Sequence, residues 1–261
     1  MMNENILVIG VGEVGESLLK VYRDVDKEDV ILYFKDAVKK SSNGLNIDTV
    51  EQSIPIDYMH ICMPYTRDFI QTTIDYINQY KPIATIIHST VDVGTTRKIA
   101  RETNSRIVHS PIMGVHPNLA KGIKTFNKII GGLDDETTEY VASHFNNIGI
   151  DSVIYDTPED SEAAKLFSTT YYGINILFMK SVFKFCRKHN LNFDEVYTRT
   201  NKIYNTGYTE LGMTNVVRPI LKYVEGPIGG HCIISNFTIL KNKFYPAKIA
   251  IEMDKETEYA I

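Results

Sequence analysis

Six residues near the N-terminus have the types and spacing that bind phosphate groups. They are Gly10, Val11, Gly12, Glu13, Val14 and Gly15, and they directly follow an apolar run at residues 6–9. Glycine at position 10 permits a tight turn, at 12 it lets the backbone approach a pyrophosphate, and at 15 it allows close helix–sheet packing. The next stretch has helical apolar spacing, so its N-terminus would offer unpaired N–H groups to the phosphates. The segment predicts a dinucleotide site; the alternative is that the glycines serve only a sharp turn.

The choice between NAD and NADP depends on the residues that follow the second predicted strand. An acidic residue about 20 positions after the glycines binds the ribose 2′-OH of NAD. Asp36 stands two residues past Phe34, the expected end of that strand. Lys35, Lys39 and Lys40 lie nearby and would suit the extra phosphate of NADP. The sequence favours NAD and leaves NADP open.

Apolar runs and helical stretches alternate over the first half of the chain. The runs lie at residues 6–9, 30–34, 58–63, 83–88 and 106–109, with helical spacing near 67–80 and 94–103. Short apolar runs separated by helices of this length are typical of βαβ units. We therefore predict an α/β fold whose Rossmann-type, doubly wound parallel sheet forms a dinucleotide-binding domain at 1–156.

The second half begins with a strong helix start. Thr157 can cap the helix, Pro158 suits its first position, and Glu159 and Asp160 suit its positive end. Apolar residues recur at helical spacing from there to about residue 190. We predict a helical domain at 157–261, built on this long interdomain helix, which would also carry a homodimer interface. A further helix is expected from about residue 192, and a loop at 226–232.

The composition argues against several classes of protein. The chain has 261 residues, 43% of them hydrophobic, and a formal net charge of −4. It has no basic stripe for a nucleic acid, no apolar run long enough to span a membrane, and no signal-peptide pattern. Cys62, Cys186 and Cys232 are odd in number and far apart, which predicts reduced thiols rather than disulfides or a zinc site. A cytoplasmic protein without a bound metal is expected.

Several segments, taken together and in order, resemble the UDP-glucose/GDP-mannose dehydrogenase family. Besides the glycine loop, they are residues 61–64 (ICMP), 89–96 (STVDVGTT), 162–166 (EAAKL) and 229–232 (GGHC). The joint pattern covers nearly the whole chain and is far more specific than any one segment. Members of this family oxidise the primary alcohol of a nucleotide sugar to a carboxylate with two hydride transfers to NAD. The resemblance implies an NAD(P)-dependent dehydrogenase that acts on a sugar or a related hydroxy compound.

The resemblance also implies roles for individual residues. Lys165 would bind the substrate oxygen and stabilise the developing alkoxide. Cys232 would attack the aldehyde intermediate as a thiolate. Arg218 would reach the substrate from a neighbouring subunit. The cofactor would also contact Met63, Pro64 and Thr90, the last of which would have a catalytic role as well.

Three positions depart from the family's pattern. Asn236 replaces the aspartate four residues after the cysteine, Thr169 replaces the asparagine four residues after the lysine, and Ile112 replaces the glutamate of an N-P-E segment. Thr169 shares a helix face with Lys165 and could still donate a hydrogen bond. Asn236 cannot act as the base that thioester hydrolysis needs. Because the sequence ends before the family's C-terminal nucleotide-sugar-binding domain could form, a compact form is expected.

The sequence also contains one candidate catalytic histidine and leaves two alternative functions open. His116, in a loop after a predicted strand, could be an acid or base in place of the missing glutamate, although a loop histidine is more often structural. A two-electron hydroxyacid-type dehydrogenase would also use a lysine on the interdomain helix. A non-catalytic dinucleotide-binding protein derived from the family is the third possibility. The departures favour that third possibility, whereas Lys165 and Cys232 argue against it, unless Cys232 is simply a packed side chain.

Overall fold

The computed structural model describes residues 4–25, 30–39, 53–114, 117–229 and 231–258. The chain divides into two compact units, Met1–Lys165 and Leu166–Ile261. The domain boundary predicted from the sequence lies at residue 156, before the long helix, whereas the compact units divide inside that helix.

One sheet organises the first unit. In the described part of the chain it has seven strands in the order β2-β1-β3-β4-β5-β6-β7. The strands are β1 Glu4–Ile9, β2 Val30–Lys35, β3 Tyr58–Ile61, β4 Ala84–Ile87, β5 Ile107–His109, β6 Lys128–Gly132 and β7 Ser152–Tyr155. Strands β1 to β5 pair in parallel. Since β1 lies between β2 and β3, the strand order reverses there, and sheets of this type bind ligands at such a switch point.

Helices cover both faces of this sheet. They are α1 Glu13–Arg23, α2 Phe69–Tyr80, α3 Thr95–Thr103, α4 Leu119–Thr125 and α5 Asp135–Asn147. Alternate residues of β1 point to opposite faces. Ile6 and Val8 join an apolar cluster with α1 and α5, whereas Leu7 and Ile9 join a second cluster with α2 and α3. The doubly wound Rossmann-type fold predicted from the sequence is confirmed.

The sheet departs from a fully parallel arrangement at β6. Val108 pairs with Gly132 and His109 with Gly131 in antiparallel register, and β7 then runs parallel to β6. The sequence analysis predicted neither β6 nor β7. β6 is buried throughout, but it begins with the charged residue Lys128, and β7 is a short strand whose Val153 and Ile154 are exposed, so neither is a typical apolar run.

The second unit is helical. Its helices are the C-terminal part of α6 Pro158–Lys188, then α7 Thr200–Glu210, α8 His231–Leu240 and α9 Tyr245–Glu258, with a π-helical segment Asp194–Arg199 before α7. The predicted start of α6 is confirmed, because Thr157 Oγ1 accepts a hydrogen bond from the Asp160 N–H at 3.1 Å. The predicted loop at 226–232 is wrong at its end, since α8 begins at His231.

A glycine allows two helices of the second unit to pack closely. A Cβ added to Gly173 of α6 would lie 2.5 Å from Ile233 Cγ2 and 2.6 Å from the Phe237 ring, both in α8. The helix that carries Cys232 therefore rests on α6 at a point that no larger residue could occupy without movement.

Candidate functional site

The glycine loop joins β1 to α1 at the carboxyl edge of the sheet. Gly10 has a φ of 87°, and an added Cβ there would lie 3.0 Å from the Met63 nitrogen. A Cβ at Gly15 would lie 2.1 Å from the Gly10 carbonyl oxygen. At Gly12, by contrast, an added Cβ would meet nothing within 4 Å beyond its chain neighbours. Gly10 and Gly15 are thus required for packing, whereas Gly12 leaves open space beside the backbone.

That open space fits a pyrophosphate. Gly12 is the N-cap of α1, and no side chain caps this end of the helix. The first turn of an α-helix has N–H groups without intrahelical partners and a positive partial charge. Within the loop itself, Val11 is buried, Val14 is half-buried and Glu13 is exposed. The residues present fit the predicted dinucleotide, and Glu13 adds one negative charge beside it.

Asp36 connects the end of β2 to the glycine loop. Its Oδ2 accepts a hydrogen bond from the Val11 N–H at 2.7 Å, and its Oδ1 accepts from the N–H groups of Val38 and Lys39 at 2.9 Å. Partial burial opposes ionisation of this carboxyl, but the three hydrogen bonds outweigh burial and lower its pKa. Lys39 also forms an ion pair with Glu16 of α1. The acid that the sequence assigns to the ribose is therefore ionised and fixed in orientation.

Two further loops reach the same edge of the sheet. Met63 and Pro64 follow β3, and Ser89 and Thr90 follow β4. Ser89 Oγ donates a hydrogen bond to the Met63 carbonyl oxygen at 2.5 Å, which ties the two loops together. Met63 and Thr90 are half-buried and Pro64 is exposed. The loops after β1, β2, β3 and β4 thus bring all the predicted cofactor residues to one edge.

Lys165 lies two turns into α6, at the end of the first unit. Its Nζ donates a hydrogen bond to the Ile112 carbonyl oxygen at 2.8 Å, in the segment that follows β5. The Ile112 side chain is buried, so only its backbone takes part. The lysine therefore reaches the carboxyl edge of β5 at the position that the resemblance assigns to a glutamate.

The sequence predictions omitted a buried residue that positions this edge, Glu162 of α6. Its Oε2 accepts from the Gly94 N–H at 2.6 Å, and its Oε1 accepts from the N–H and the hydroxyl of Thr96 at 2.8 and 2.6 Å. Burial raises the pKa of this carboxyl, against the opposing effect of these hydrogen bonds. Glu162 thereby caps α3 from a different helix. The sequence feature that could have identified Glu162 is its position three residues before Lys165. In the structure it lies opposite the start of α3, whose own N-cap residue, Gly94, provides no side-chain cap.

Cys232, Asn236 and Thr169 belong to the second unit. Cys232 is exposed in the first turn of α8, so it is not a packed core side chain. Asn236 lies one turn later on α8 and is buried. Thr169 is half-buried on α6, one turn before the glycine on which α8 packs.

Arg218 is exposed in the second unit. Its backbone N–H and carbonyl pair with the Asn205 side chain, both at 2.9 Å. Its guanidinium carbon lies 3.5 Å from the centroid of the Tyr204 ring, a cation–π contact. The guanidinium is thus stacked on α7.

One predicted site residue, His116, lies outside the described residues. Across the ranges that the structure describes, no group of three or more His, Cys, Asp or Glu side chains could hold a metal ion. In the same ranges, no helix is both long and apolar enough to cross a membrane.

The parallel sheet, the glycine loop at its switch point and the helical second unit define a Rossmann-type fold of the dehydrogenase kind. UDP-glucose 6-dehydrogenase of Campylobacter jejuni is 27% identical to this chain over 212 residues, which cover 77% of the chain and 49% of that enzyme. The resemblance to the UDP-glucose/GDP-mannose dehydrogenase family is confirmed. The chain spans about half the length of the curated relative that it matches. No family model matches it.

Solved structures of two kinds share the fold. UDP-D-ManNAc dehydrogenase of Pyrococcus horikoshii superposes with a TM-score of 0.75 at 19% identity, over 97% of this chain and 68% of that one. 3-Hydroxyisobutyrate dehydrogenase of Mycobacterium tuberculosis superposes with a TM-score of 0.69 at 12% identity, over 98% of this chain and 94% of that one. At these identities the likeness concerns the fold alone.

Proposed function

We propose that this chain is an NAD(P)-dependent oxidoreductase that oxidises an alcohol group of a sugar or a related hydroxy compound. One observation carries the proposal. The Lys165 ammonium is held at 2.8 Å from the Ile112 carbonyl oxygen, on the sheet edge that also carries the glycine loop. A fixed ammonium group next to a dinucleotide site is what alkoxide stabilisation requires. NAD is the proposed cofactor because Asp36 presents an ionised carboxylate at the end of β2.

Lys165 would act on the substrate oxygen. The oxidised cofactor, when bound, would supply the acceptor for the hydride of the carbinol carbon, and the hydroxyl proton would leave to water. The ammonium group of Lys165 would donate a hydrogen bond to the oxygen of that carbon as its negative charge develops. The Ile112 carbonyl holds the amine in place meanwhile, and Glu162 holds the turn of α6 that precedes it.

A second oxidation stage would depend on Cys232. Its thiolate would add to the aldehyde carbon, and oxidation of that adduct to a thioester would require a second molecule of oxidised NAD(P) as hydride acceptor. Hydrolysis of the thioester needs a base, and the residue one turn after Cys232 is Asn236, which cannot accept a proton at neutral pH. We therefore expect a reaction that stops after two electrons or that leaves an acyl group on Cys232.

A hydroxyacid is the second candidate substrate class. The chain covers 94% of the M. tuberculosis 3-hydroxyisobutyrate dehydrogenase, against 49% of the C. jejuni UDP-glucose enzyme. The fold shared with this hydroxyacid dehydrogenase, at a TM-score of 0.69, is what supports the second class. Lys165 would have the same role on the hydroxyl group of such a substrate.

The proposed assembly is a homodimer built on α6. Tyr171, Phe178 and Phe185 recur every seven residues and are 63%, 60% and 56% exposed. An exposed aromatic stripe on one helix face is unfavourable in water, and a second copy of the same face would cover it. Arg218 would then approach the partner's substrate.

A substrate panel tests the proposed activity. The purified chain is mixed with NAD or NADP and with UDP-glucose, other nucleotide sugars, free sugars or 3-hydroxyisobutyrate, and NAD(P)H fluorescence is followed. We expect reduction with one substrate class, and a loss of about 10²–10³ in kcat for Lys165→Met at unchanged cofactor affinity. Lys188→Met, at the exposed end of the same helix, is the control. Cofactor binding without turnover of any alcohol would identify the non-catalytic alternative instead.

A further inference from the structure

A chain of buried polar side chains crosses the core of the first unit, between the sheet and helices α1 and α5. Five of its members are at most 4% exposed, and only the last, a glutamate, reaches the surface with 40% of its side chain exposed. In order they are Lys128 of β6, His88 after β4, His60 of β3, Tyr22 of α1, His144 of α5 and Glu4 of β1.

Each member lies within hydrogen-bond or ion-pair distance of the next. Lys128 Nζ is 3.2 Å from His88 Nδ1, and His88 Nε2 is 2.8 Å from His60 Nδ1. His60 Nε2 is 3.0 Å from Tyr22 Oη. Tyr22 Oη is 2.7 Å from His144 Nε2, and His144 Nδ1 is 3.4 Å from a Glu4 carboxylate oxygen.

The buried end of the chain holds the segment on which Lys165 docks. Lys128 Nζ donates to the carbonyl oxygens of Ser110 and Pro111 at 2.7 and 3.0 Å. The next carbonyl along, that of Ile112, accepts from Lys165. The two lysines thus bind three consecutive carbonyl groups of one segment.

Burial lowers the pKa of Lys128, and several charged groups face it. The repulsion from Lys165 on α6 lowers that pKa further, whereas Cys62 after β3 raises it. Lys128 in turn lowers the pKa values of His60, His88 and His109, which are already lowered by burial. The proton on Lys128 is therefore held weakly for a lysine.

When Lys128 is charged, the hydrogen bonds from Lys128 to His144 can all run in one direction, at the cost of placing an unprotonated His88 Nδ1 2.6 Å from the Ser110 carbonyl oxygen. The three N–H groups of Lys128 bond Ser110, Pro111 and Nδ1 of His88, which accepts. His88 then donates from Nε2 to His60, and His60 donates from Nε2 to Tyr22. Tyr22 donates to His144 Nε2. The Nδ1 of His144 lies at ion-pair distance from Glu4, 3.4 Å, without the geometry of a hydrogen bond, so this last link is the weakest of the chain.

When Lys128 is neutral, the hydrogen bonds between the side chains run in the opposite direction. Its two N–H groups keep the carbonyls of Ser110 and Pro111, and its lone pair faces His88. The His88 Nδ1 lies 2.6 Å from the Ser110 carbonyl oxygen, which can only accept, so Nδ1 must now carry the hydrogen. His88 Nε2 then accepts from His60 Nδ1, His60 Nε2 accepts from the Tyr22 hydroxyl, and Tyr22 accepts from His144 Nε2.

We propose that this chain is a proton relay that exchanges the proton of Lys128 with solvent at Glu4. The proton leaves Lys128 Nζ for His88 Nδ1, and the proton on His88 Nε2 moves to His60 Nδ1. The proton on His60 Nε2 moves to Tyr22 Oη, and the hydroxyl proton moves to His144 Nε2. The Nδ1 proton of His144 passes to the Glu4 carboxylate and then to water. One proton enters at one end and one leaves at the other, and only the partly exposed Glu4 side chain has to adjust to complete a hydrogen bond with His144.

The relay determines whether Lys128 is charged, and Lys128 binds the same segment as Lys165. The relay itself does not depend on the proposed activity. Loss of the proton from Lys128 would remove one positive charge close to Lys165. The repulsion between the two ammonium groups would then end, although both carbonyl contacts of Lys128 would remain.

Nitrogen-15 NMR of the histidine rings tests the relay in the full chain, without substrate or cofactor. As the pH rises, His60, His88 and His144 should change tautomer together, with one midpoint, because deprotonation of Lys128 reverses all three. Tyr22→Phe removes the central hydroxyl, so His144 should no longer change at the midpoint of the other two. Tyr58→Phe is the matched control, since its ring stacks on His144 at 3.8 Å and its hydroxyl is outside the relay.

A second variant removes the exchangeable proton itself. In Lys128→Met the three histidines should stay, at every pH at which the protein is folded, in the tautomers of the neutral arrangement. Separate midpoints for the three histidines in the unaltered chain would overturn the proposal. So would tautomers that never change, or tautomer changes that persist unaltered in Tyr22→Phe.

Discussion

The backbone N–H of Val11 donates a 2.7 Å hydrogen bond to Oδ2 of Asp36. The glycine loop and the end of β2 are therefore joined before any cofactor arrives. The same carboxylate that would bind the ribose also holds the loop that would bind the pyrophosphate. Its second oxygen accepts from two more backbone groups, which fixes the turn after β2.

Replacement of this carboxylate should change the cofactor preference. We expect Asp36→Ala to weaken binding of NAD much more than binding of NADP, because the ribose 2′-OH of NAD loses its acceptor. Fluorescence titration with NADH and NADPH measures both affinities. A larger loss for NADPH would make this an NADP protein.

The Asp36 carboxylate should also make the stability of the folded protein depend on pH in the acidic range. Because the folded pKa of Asp36 is lowered, its contribution to stability is fully present above the unfolded value of about 3.9 and is lost as the pH falls through the folded pKa. Asp36→Asn should remove that part of the pH dependence. Urea unfolding of both chains between neutral and acidic pH measures it, and parallel curves at all pH values would contradict the expectation.

Substitution of two glycines of the loop should have different effects on stability and on cofactor binding. Gly12→Val has open space and a φ of −79°, so we expect a change in stability within about 0.5 kcal/mol but no cofactor binding. Gly15→Ala places a Cβ 2.1 Å from the Gly10 oxygen and should lower the free energy of unfolding by about 1–3 kcal/mol or more. Thermal unfolding with and without NADH separates the two effects. Normal cofactor affinity in a folded Gly12→Val chain would exclude this loop as the pyrophosphate site.

The extent of oxidation should depend on a single residue of α8. With a substrate that is turned over, we expect either an aldehyde or ketone product, or an acyl group on Cys232. If the acyl group accumulates, Asn236→Asp should speed its hydrolysis by about 10²–10⁴ by supplying a base. Intact-protein mass spectrometry and product analysis follow both. Rapid carboxylate release with two reduced cofactors per substrate and no adduct would mean that another group, with His116 as the first candidate, acts as the base.

The aromatic stripe of α6 should control assembly. Phe178→Asp, at the centre of the stripe, should convert the expected dimer to a monomer because a carboxylate cannot be buried without a partner. Phe126→Asp, at an exposed phenylalanine of the first unit, is the control and should leave the dimer intact. Light scattering at micromolar concentration distinguishes the two states. A monomer in the unaltered chain would exclude the dimer.

The parts of the fold that follow local rules could be predicted from the sequence. The strands of the parallel half are continuous apolar runs, and α6 begins at a Thr-Pro pair with acids after it, where Thr157 does cap the helix. β6 could not be predicted in this way, because it begins with the charged Lys128 and ends in two glycines, which leaves only two apolar residues. The burial of the Lys128 side chain depends on its hydrogen bonds to the carbonyl groups of Ser110 and Pro111, which come near it only in the folded chain.

The features of the site also differ in whether their cause is local in the sequence. The glycine loop has a local cause and could be predicted, whereas the contacts of Glu162 and Lys165 join residues more than fifty positions apart. His60 lies within an apolar run and gave no sign of a partner, since its partners come from α1 and the loop after β4. Sequence patterns report the element in which a side chain lies, and these contacts depend on which elements become neighbours.

The reversal of chain direction at β6 has a geometric consequence for Lys165. β7 runs opposite to β5, so α6 begins next to Gly131 and then follows β5. Along the way Ser161 Oγ donates to the His109 carbonyl at 3.2 Å, and one turn later Lys165 meets the Ile112 carbonyl. A helix turns about 100° per residue, so a single inserted residue between these two contacts would point the lysine away from the sheet edge. The opening turns of α6 therefore tolerate substitutions on their outer face but no change in length.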